Sequence, residues 1–175
     1  MKYLKKYNES KYLSEDGKVF DCSNKNLNEL PFIPETVEYL YCYYNNLEEL
    51  PVLPKGLKEL HCDNNKLKEL PELPSGLKIF YCYYNDLSKL PSIPEAVESL
   101  WCYNNNLTEL PKLPKGLERL GCFNNELKEL PRLPKGLKHL NCSNNNLPYE
   151  DLEGYWEWFY KENPDLGEAE KMGLF

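Results

Sequence analysis

The sequence predicts a repeat solenoid in which short parallel strands stack into a single sheet, and three observations predict it. Seven cysteines, Cys22, Cys42, Cys62, Cys82, Cys102, Cys122 and Cys142, recur every 20 residues. Around them runs the frame L-x-x-L-x-C-x-x-N-x-L-x-x-L-P-x-L-P-x-G, clearest in Leu57–Pro71. A fixed period of this length marks stacked repeats, each unable to bury its apolar side alone. The prolines of each copy, as in Leu50-Pro51-Val52-Leu53-Pro54, stand too close together for a helix, so the return segment is extended and polyproline-like.

The L-P-x-L-P-x-G spacer and the 20-residue length resemble the short bacterial-type leucine-rich repeats of YopM- and IpaH-type effectors, a repeat also common in phage and large-virus proteins. The likeness covers residues 17–148, seven copies in one frame. It implies a leucine-rich-repeat horseshoe with a parallel β-sheet on the concave face, an extended convex side and a helical C-terminal cap. It also implies work inside a host cell, in the cytoplasm of the producer or the host, by binding and interfering with a host protein. IpaH-type effectors carry a ubiquitin-ligase domain after their repeats. Here only Pro148 to Phe175 follows the last repeat, so that domain is expected to be absent and no activity carries over.

The elements follow in order. Residues 1–16 are read as an N-terminal cap. Asp16-Gly17 signals a hairpin turn that brings Tyr12-Leu13 beside Val19-Phe20, with Tyr3, Leu4 and Tyr7 over the open end of the core. In each repeat a short strand forms at the Leu-x-Cys step, and successive strands lie about 4.8 Å apart. Asn45, Asn65, Asn85, Asn105, Asn125 and Asn145 follow their cysteines by three residues. A carboxamide there supplies donor and acceptor to buried backbone groups, so these residues form a structural ladder. The first repeat has Lys25 at this position. Gly56, Gly76, Gly116 and Gly136 mark the bend into the next strand. After Asn146 the frame stops, and residues 149–175 are read as a C-terminal helical cap. Leu152, Tyr155, Trp156, Phe159 and Tyr160 have helical spacing, Gly154 weakens the first turn, and Asn163-Pro164 ends the helix. Trp158 is expected to be the exposed aromatic, and Glu168 to Met172 a further short turn.

Composition narrows the function. No run approaches the roughly 20 apolar residues that span a bilayer, and the N-terminus lacks the apolar core of a signal peptide. Residues 148–175 hold eight acidic and two basic residues, so nearly all of the net charge of -7 sits there and the repeats are close to neutral. Phosphate-backbone binding wants a basic face, so nucleic acid is not expected as a partner. The cysteines share one inward phase and read as small buried hydrophobes, not as a disulfide framework or a metal site. No cofactor is expected.

Alternation points the residues flanking each Leu-x-Cys step away from the core. The second repeat presents Tyr39, Tyr41, Tyr43 and Tyr44, and the fourth Ile79, Tyr81, Tyr83 and Tyr84. The fifth offers Ser99, Trp101 and Tyr103, and the sixth Arg119, Gly121 and Phe123. Between the tyrosine groups lie Glu59, His61 and Asp63 of the third. An exposed patch of this many aromatics marks a partner surface, because Tyr and Trp bury large area with few rotatable bonds. His61 and Asp63 would add polar specificity. No nucleophile–base–orienter set or phosphate loop stands out, so the chain is read as non-enzymatic. The resulting expectation is a protein-binding module acting through its concave face. Two other readings follow from the same residues: a binder of a planar or nucleotide-like small molecule, with His61 and Arg119 near its polar groups, and a homo-oligomeric scaffold.

Overall fold

The computed structural model describes residues 10–164. Seven strands of three residues each form one parallel sheet in chain order: β1 (Val19–Asp21), β2 (Tyr39–Tyr41), β3 (Glu59–His61), β4 (Ile79–Tyr81), β5 (Ser99–Trp101), β6 (Arg119–Gly121) and β7 (His139–Asn141). The register advances by one repeat per strand, so that Leu40 pairs with Leu60 and Leu60 with Phe80. This central residue of each strand is buried, as is the cysteine two positions on. Behind the sheet the core therefore holds a leucine or phenylalanine ladder beside a cysteine ladder, and further leucine columns of the coil, such as Leu47, Leu67 and Leu87, complete it. The chain is a leucine-rich-repeat solenoid, as its periodicity predicts.

Such short strands cannot satisfy the coil between them, and the asparagines do. Each donates from Nδ2 to the cysteine carbonyl of its own repeat and of the one before; for Asn85 these are Cys82 and Cys62, both at 3.1 Å. Its Oδ1 accepts the N–H of Leu67, 18 residues back, at 3.0 Å. The same bonds recur at Asn45, Asn65, Asn105, Asn125 and Asn145. Lys25, with no repeat before it, needs only its backbone, whose N–H donates to Asn45 Oδ1 at 3.0 Å.

Burial drives all seven thiols up, Cys22, Cys102 and Cys142 to about 12, so they stay protonated and unreactive within the core.

Both sheet edges are covered by an antiparallel bridge, which removes a template for edge pairing. At the first edge Leu13 pairs with Phe20, as the turn at Asp16-Gly17 predicts, while Tyr12 belongs to a 3-10 turn, Ser10–Tyr12, and sets its ring 5.8 Å from Phe20. The placements expected for Tyr3, Leu4 and Tyr7, and the turn expected at Glu168–Met172, lie outside the described residues. At the second edge Asn141 pairs with Asp151, and Cys142 N–H donates to Glu150 O.

Asp151 then caps helix α1 (Leu152–Glu162), its Oδ1 accepting from Gly154 N–H at 2.9 Å. Gly154 stands in this turn, and Tyr149 Cβ packs 3.3 Å from where a Cβ would sit on it. Tyr155 and Phe159 are buried on the last repeat. One expectation is corrected here. Trp158 is half-buried, its ring 5.1 Å from Tyr149, because Tyr149 widens the covered stripe beyond the helix's own periodicity; the exposed ring is Tyr160.

Replacing Asn85 by Ala strands the Leu67 N–H in a buried coil and leaves the Cys62 and Cys82 carbonyls with one asparagine bond each, from Asn65 and Asn105. It is expected to lower stability by about 1–3 kcal/mol in urea unfolding. A loss within error would mean that water can take over these bonds.

Candidate binding face

Three columns of side chains run across the concave sheet, one repeat apart. The residue before each cysteine gives Asp21, Tyr41, His61, Tyr81, Trp101, Gly121 and Asn141; the residue after it gives Ser23, Tyr43, Asp63, Tyr83, Tyr103, Phe123 and Ser143. The third column starts each strand and holds Val19, Tyr39, Glu59, Ile79, Ser99, Arg119 and His139.

The first two columns form a continuous aromatic surface. In the column before the cysteines, Tyr41 meets His61 edge-on at 4.9 Å, His61 lies 4.4 Å from Tyr81, and Tyr81 is edge-on to Trp101 at 6.4 Å. In the column after them, Tyr83 stacks on Tyr103 at 4.4 Å and Tyr103 on Phe123 at 4.2 Å, with interplanar angles of 7° and 10°. Trp101 joins the columns through Tyr103, edge-on at 6.2 Å. The rings cover one another, so these residues are half-buried; the expected fully exposed patch is corrected to a packed one. Tyr39 lies in the third column and makes no ring contact with them among the described residues, and Arg119 is exposed there.

Trp101 owes its position to two residues that periodicity placed on the concave face without giving them this role. Its Nε1–H donates to Ser99 Oγ at 3.0 Å, which leaves Ser99 buried. Its six-membered ring covers Gly121, where an added Cβ would come within 2.8 Å of Cζ3. The glycine is a seat for the indole. A glycine beside a tryptophan in register, 20 residues apart, is the signal that could have found it.

Tyr44 and Tyr84 are not strand neighbours of the other tyrosines. Both have φ near +50° (52° and 51°), in a left-handed turn that other repeats fill with Asn24, Asn64, Asn104, Asn124 and Asn144. Every side chain meets a Cβ clash in this region; the short carboxamide of asparagine offsets it by bonding locally, and tyrosine has no such compensation. The asparagines also bond along the column, Asn124 to Asn104 Oδ1 at 2.8 Å and Asn144 to Asn124 Oδ1 at 2.7 Å. Tyr44 and Tyr84 forgo both benefits and stand 58% and 52% exposed.

Asp63 was expected at the surface, and that too is corrected. It is 2% exposed, with Oδ2 accepting from Asn64 Nδ2 at 2.9 Å and the Tyr83 phenol against it. Burial raises its carboxyl above the usual range, and the charge of Asp63 adds to burial in raising the Tyr83 phenol. His61 is caught between rings: Nε2 is buried with no hydrogen-bond partner, 3.7 Å from Glu59 Oε2. Burial lowers its pKa, against the pull of Asp63 and Glu59.

No helix among the described residues is long and apolar enough to cross a membrane. A row of exposed ion pairs borders the face: Lys18 and Lys58 on Glu38, Lys78 on Glu98, and Lys138 on Glu118.

Solved structures similar to this chain include leucine-rich-repeat effectors. No family model matches the sequence, and neither does any curated protein. YopM from Yersinia enterocolitica is similar at 38% identity with a TM-score of 0.71, over 77% of this chain and 33% of that one. A Shigella effector leucine-rich-repeat domain is 31% identical with a TM-score of 0.65, over 73% of this chain and 69% of that domain. YopM of Yersinia pestis, a leucine-rich effector protein, is 34% identical with a TM-score of 0.63, over 77% of this chain and 45% of that one. The chain thus spans only a third of the first YopM.

Two predictions follow from the left-handed turn and the buried imidazole. Tyr44→Asn and Tyr84→Asn are each expected to raise stability by up to about 1 kcal/mol in urea unfolding, because the short polar side chain compensates the left-handed backbone locally; a loss would mean that ring packing outweighs it. His61 is expected to titrate below 6.5. Because its folded pKa lies below the unfolded one, the unfolded chain takes up the proton first, and the fold loses stability as pH falls below 6.5. Asp63, raised by folding, has the opposite sign: its cost is relieved as pH falls through its folded pKa. Proton NMR of the His61 ring reads its midpoint directly, and a value above 6.5 would contradict the burial.

Proposed function

We propose, since the chain belongs to the leucine-rich-repeat family of bacterial effectors, that it is a non-catalytic protein-binding module whose concave aromatic face grips a protein of a host cell. One observation carries the reading: Tyr41, His61, Tyr81 and Trp101 in one column and Tyr83, Tyr103 and Phe123 in the next form a single preorganised surface. Rings already packed against one another lose little freedom on binding, and aromatic anchors of this kind dominate protein interfaces. Two tyrosines held in a left-handed turn add support, because strain that stability alone would remove tends to persist where function keeps it.

The stacking also weighs against a planar small molecule as ligand. From Tyr83 to Phe123 the rings fill their own stacking distance, so a flat ligand would have to part them. The aromatic surface is an open sheet face and not a closed pocket, which suits a protein surface better.

The test is affinity capture from a host lysate with the wild type beside a Tyr81→Ala/Trp101→Ala/Tyr103→Ala variant, both shown to fold by circular dichroism. A protein retained by the wild type and lost from the variant is the expected result. Equal capture by both would move binding off the concave face, and sedimentation showing the wild type to self-associate through these residues would favour the scaffold reading.

A further inference from the structure

The column of residues after the cysteines is interrupted at one step, and the interruption is acidic. Among the described residues Tyr43 makes its one ring contact with Tyr44, at 5.9 Å, and none with the Tyr83–Tyr103–Phe123 stack. Between Tyr43 and Tyr83 the column holds Asp63, and between Tyr44 and Tyr84 the left-handed column holds Asn64. Strands lie about 4.8 Å apart, so rings two repeats apart are roughly 10 Å apart at the backbone, enough for one planar group between them. Between Tyr83 and Phe123 that place is taken by the Tyr103 ring; between Tyr43 and Tyr83 it is taken by the buried Asp63, with the Tyr83 phenol bonded to it.

Charge narrows what that group can be. The concave positions of β1 to β4 and the residues just after their cysteines include Asp21, Glu59 and Asp63, and no lysine or arginine. The first basic side chain on the face is Arg119, in β6. His61, beside Asp63, is held towards its neutral form by burial and adds little positive charge near pH 7. Tyrosine faces and a carboxylate together favour a cation. A guanidinium suits the step better than an ammonium, because it is planar, stacks on rings and offers a fork of donors to a carboxylate.

We propose that the Asp63 step receives an arginine side chain of the bound protein, its guanidinium lying between the Tyr43–Tyr44 and Tyr83–Tyr84 pairs and donating to the Asp63 carboxylate. This rests on the reading that the concave face binds a protein. The carboxylate has acceptor capacity beyond the bond from Asn64. Asp63 is buried and bonded by the Tyr83 phenol, so reaching it requires the phenol to yield its place and the exposed Tyr44 to rotate. The arginine then replaces, with a charge, the neutral donor that the phenol supplies.

The experiment titrates the whole protein with Nα-acetyl-arginine methylamide and, separately, with its neutral isostere Nα-acetyl-citrulline methylamide, followed by amide NMR. Saturable millimolar shifts centred on Tyr44, Asp63, Asn64 and Tyr84 are expected with the arginine compound, weakened roughly tenfold or more with citrulline and in Asp63→Asn. An equal response to both compounds, shifts centred elsewhere, or no response overturns the proposal. Tyr44→Asn/Tyr84→Asn restores the residue used elsewhere in that turn, so it tests the ring pairs without threatening the fold; binding unchanged in it would also overturn the proposal. Capture separates the two readings. A host protein lost from the Tyr81/Trp101/Tyr103 variant but kept by Asp63→Asn leaves the concave face standing and removes the arginine. Binding of the arginine compound with no protein captured supports the step and overturns the wider reading.

Discussion

The hydrogen bonds of six asparagine side chains are the constraint on which the solenoid depends. A coil of 20 residues with a three-residue strand leaves most of its backbone outside the sheet ladder. Asn45, Asn65, Asn85, Asn105, Asn125 and Asn145 take up the carbonyls and an N–H that would otherwise be buried without partners. Each ties its own repeat to the one before, so the bonds that make one turn possible are also those that stack it. The leucine and cysteine ladders then bury the apolar side, and the prolines keep the return short.

Because the scaffold is held from within, its concave face is free to vary. Each repeat contributes one side chain to every column at a spacing that the strands impose. Neighbouring aromatics in a column must therefore either stack, as Tyr83, Tyr103 and Phe123 do, or tilt, as Tyr41, His61 and Tyr81 do. A small residue beside a large one becomes a seat, as Gly121 is for Trp101. An acidic residue between large ones becomes a buried carboxylate, as Asp63 is. The chemistry of the face is set by such pairs and not by any residue alone.

The left-handed turn shows the cost of that freedom. Five repeats place asparagine there; the second and fourth place tyrosine, losing a tolerant backbone and the side-chain bonds that Asn104, Asn124 and Asn144 share. The two substitutions flank the one repeat whose concave residues are Glu59, His61 and Asp63. Strain, ring exposure and buried charge thus meet at the third repeat, making it the part of the surface least explained by stability.

The sequence by itself determined the period, the strand positions, the parallel order, the asparagine ladder and the helical end, because each is a local pattern repeated at fixed spacing. It also determined which residues share the concave side, by alternation. Only the tertiary structure decided what those residues do to one another. Asp63 is buried by tyrosines 20 residues away, Trp101 is fixed by Gly121 and Ser99, and Trp158 is covered by Tyr149 from outside its helix. Burial is a property of neighbours in space, and in a solenoid those neighbours sit one repeat away. Tyr44 and Tyr84 were half legible: asparagine at the same position of five repeats signals a left-handed turn. That these two rings stand exposed there, one on either side of Asn64 and Asp63, follows only when the repeats are stacked.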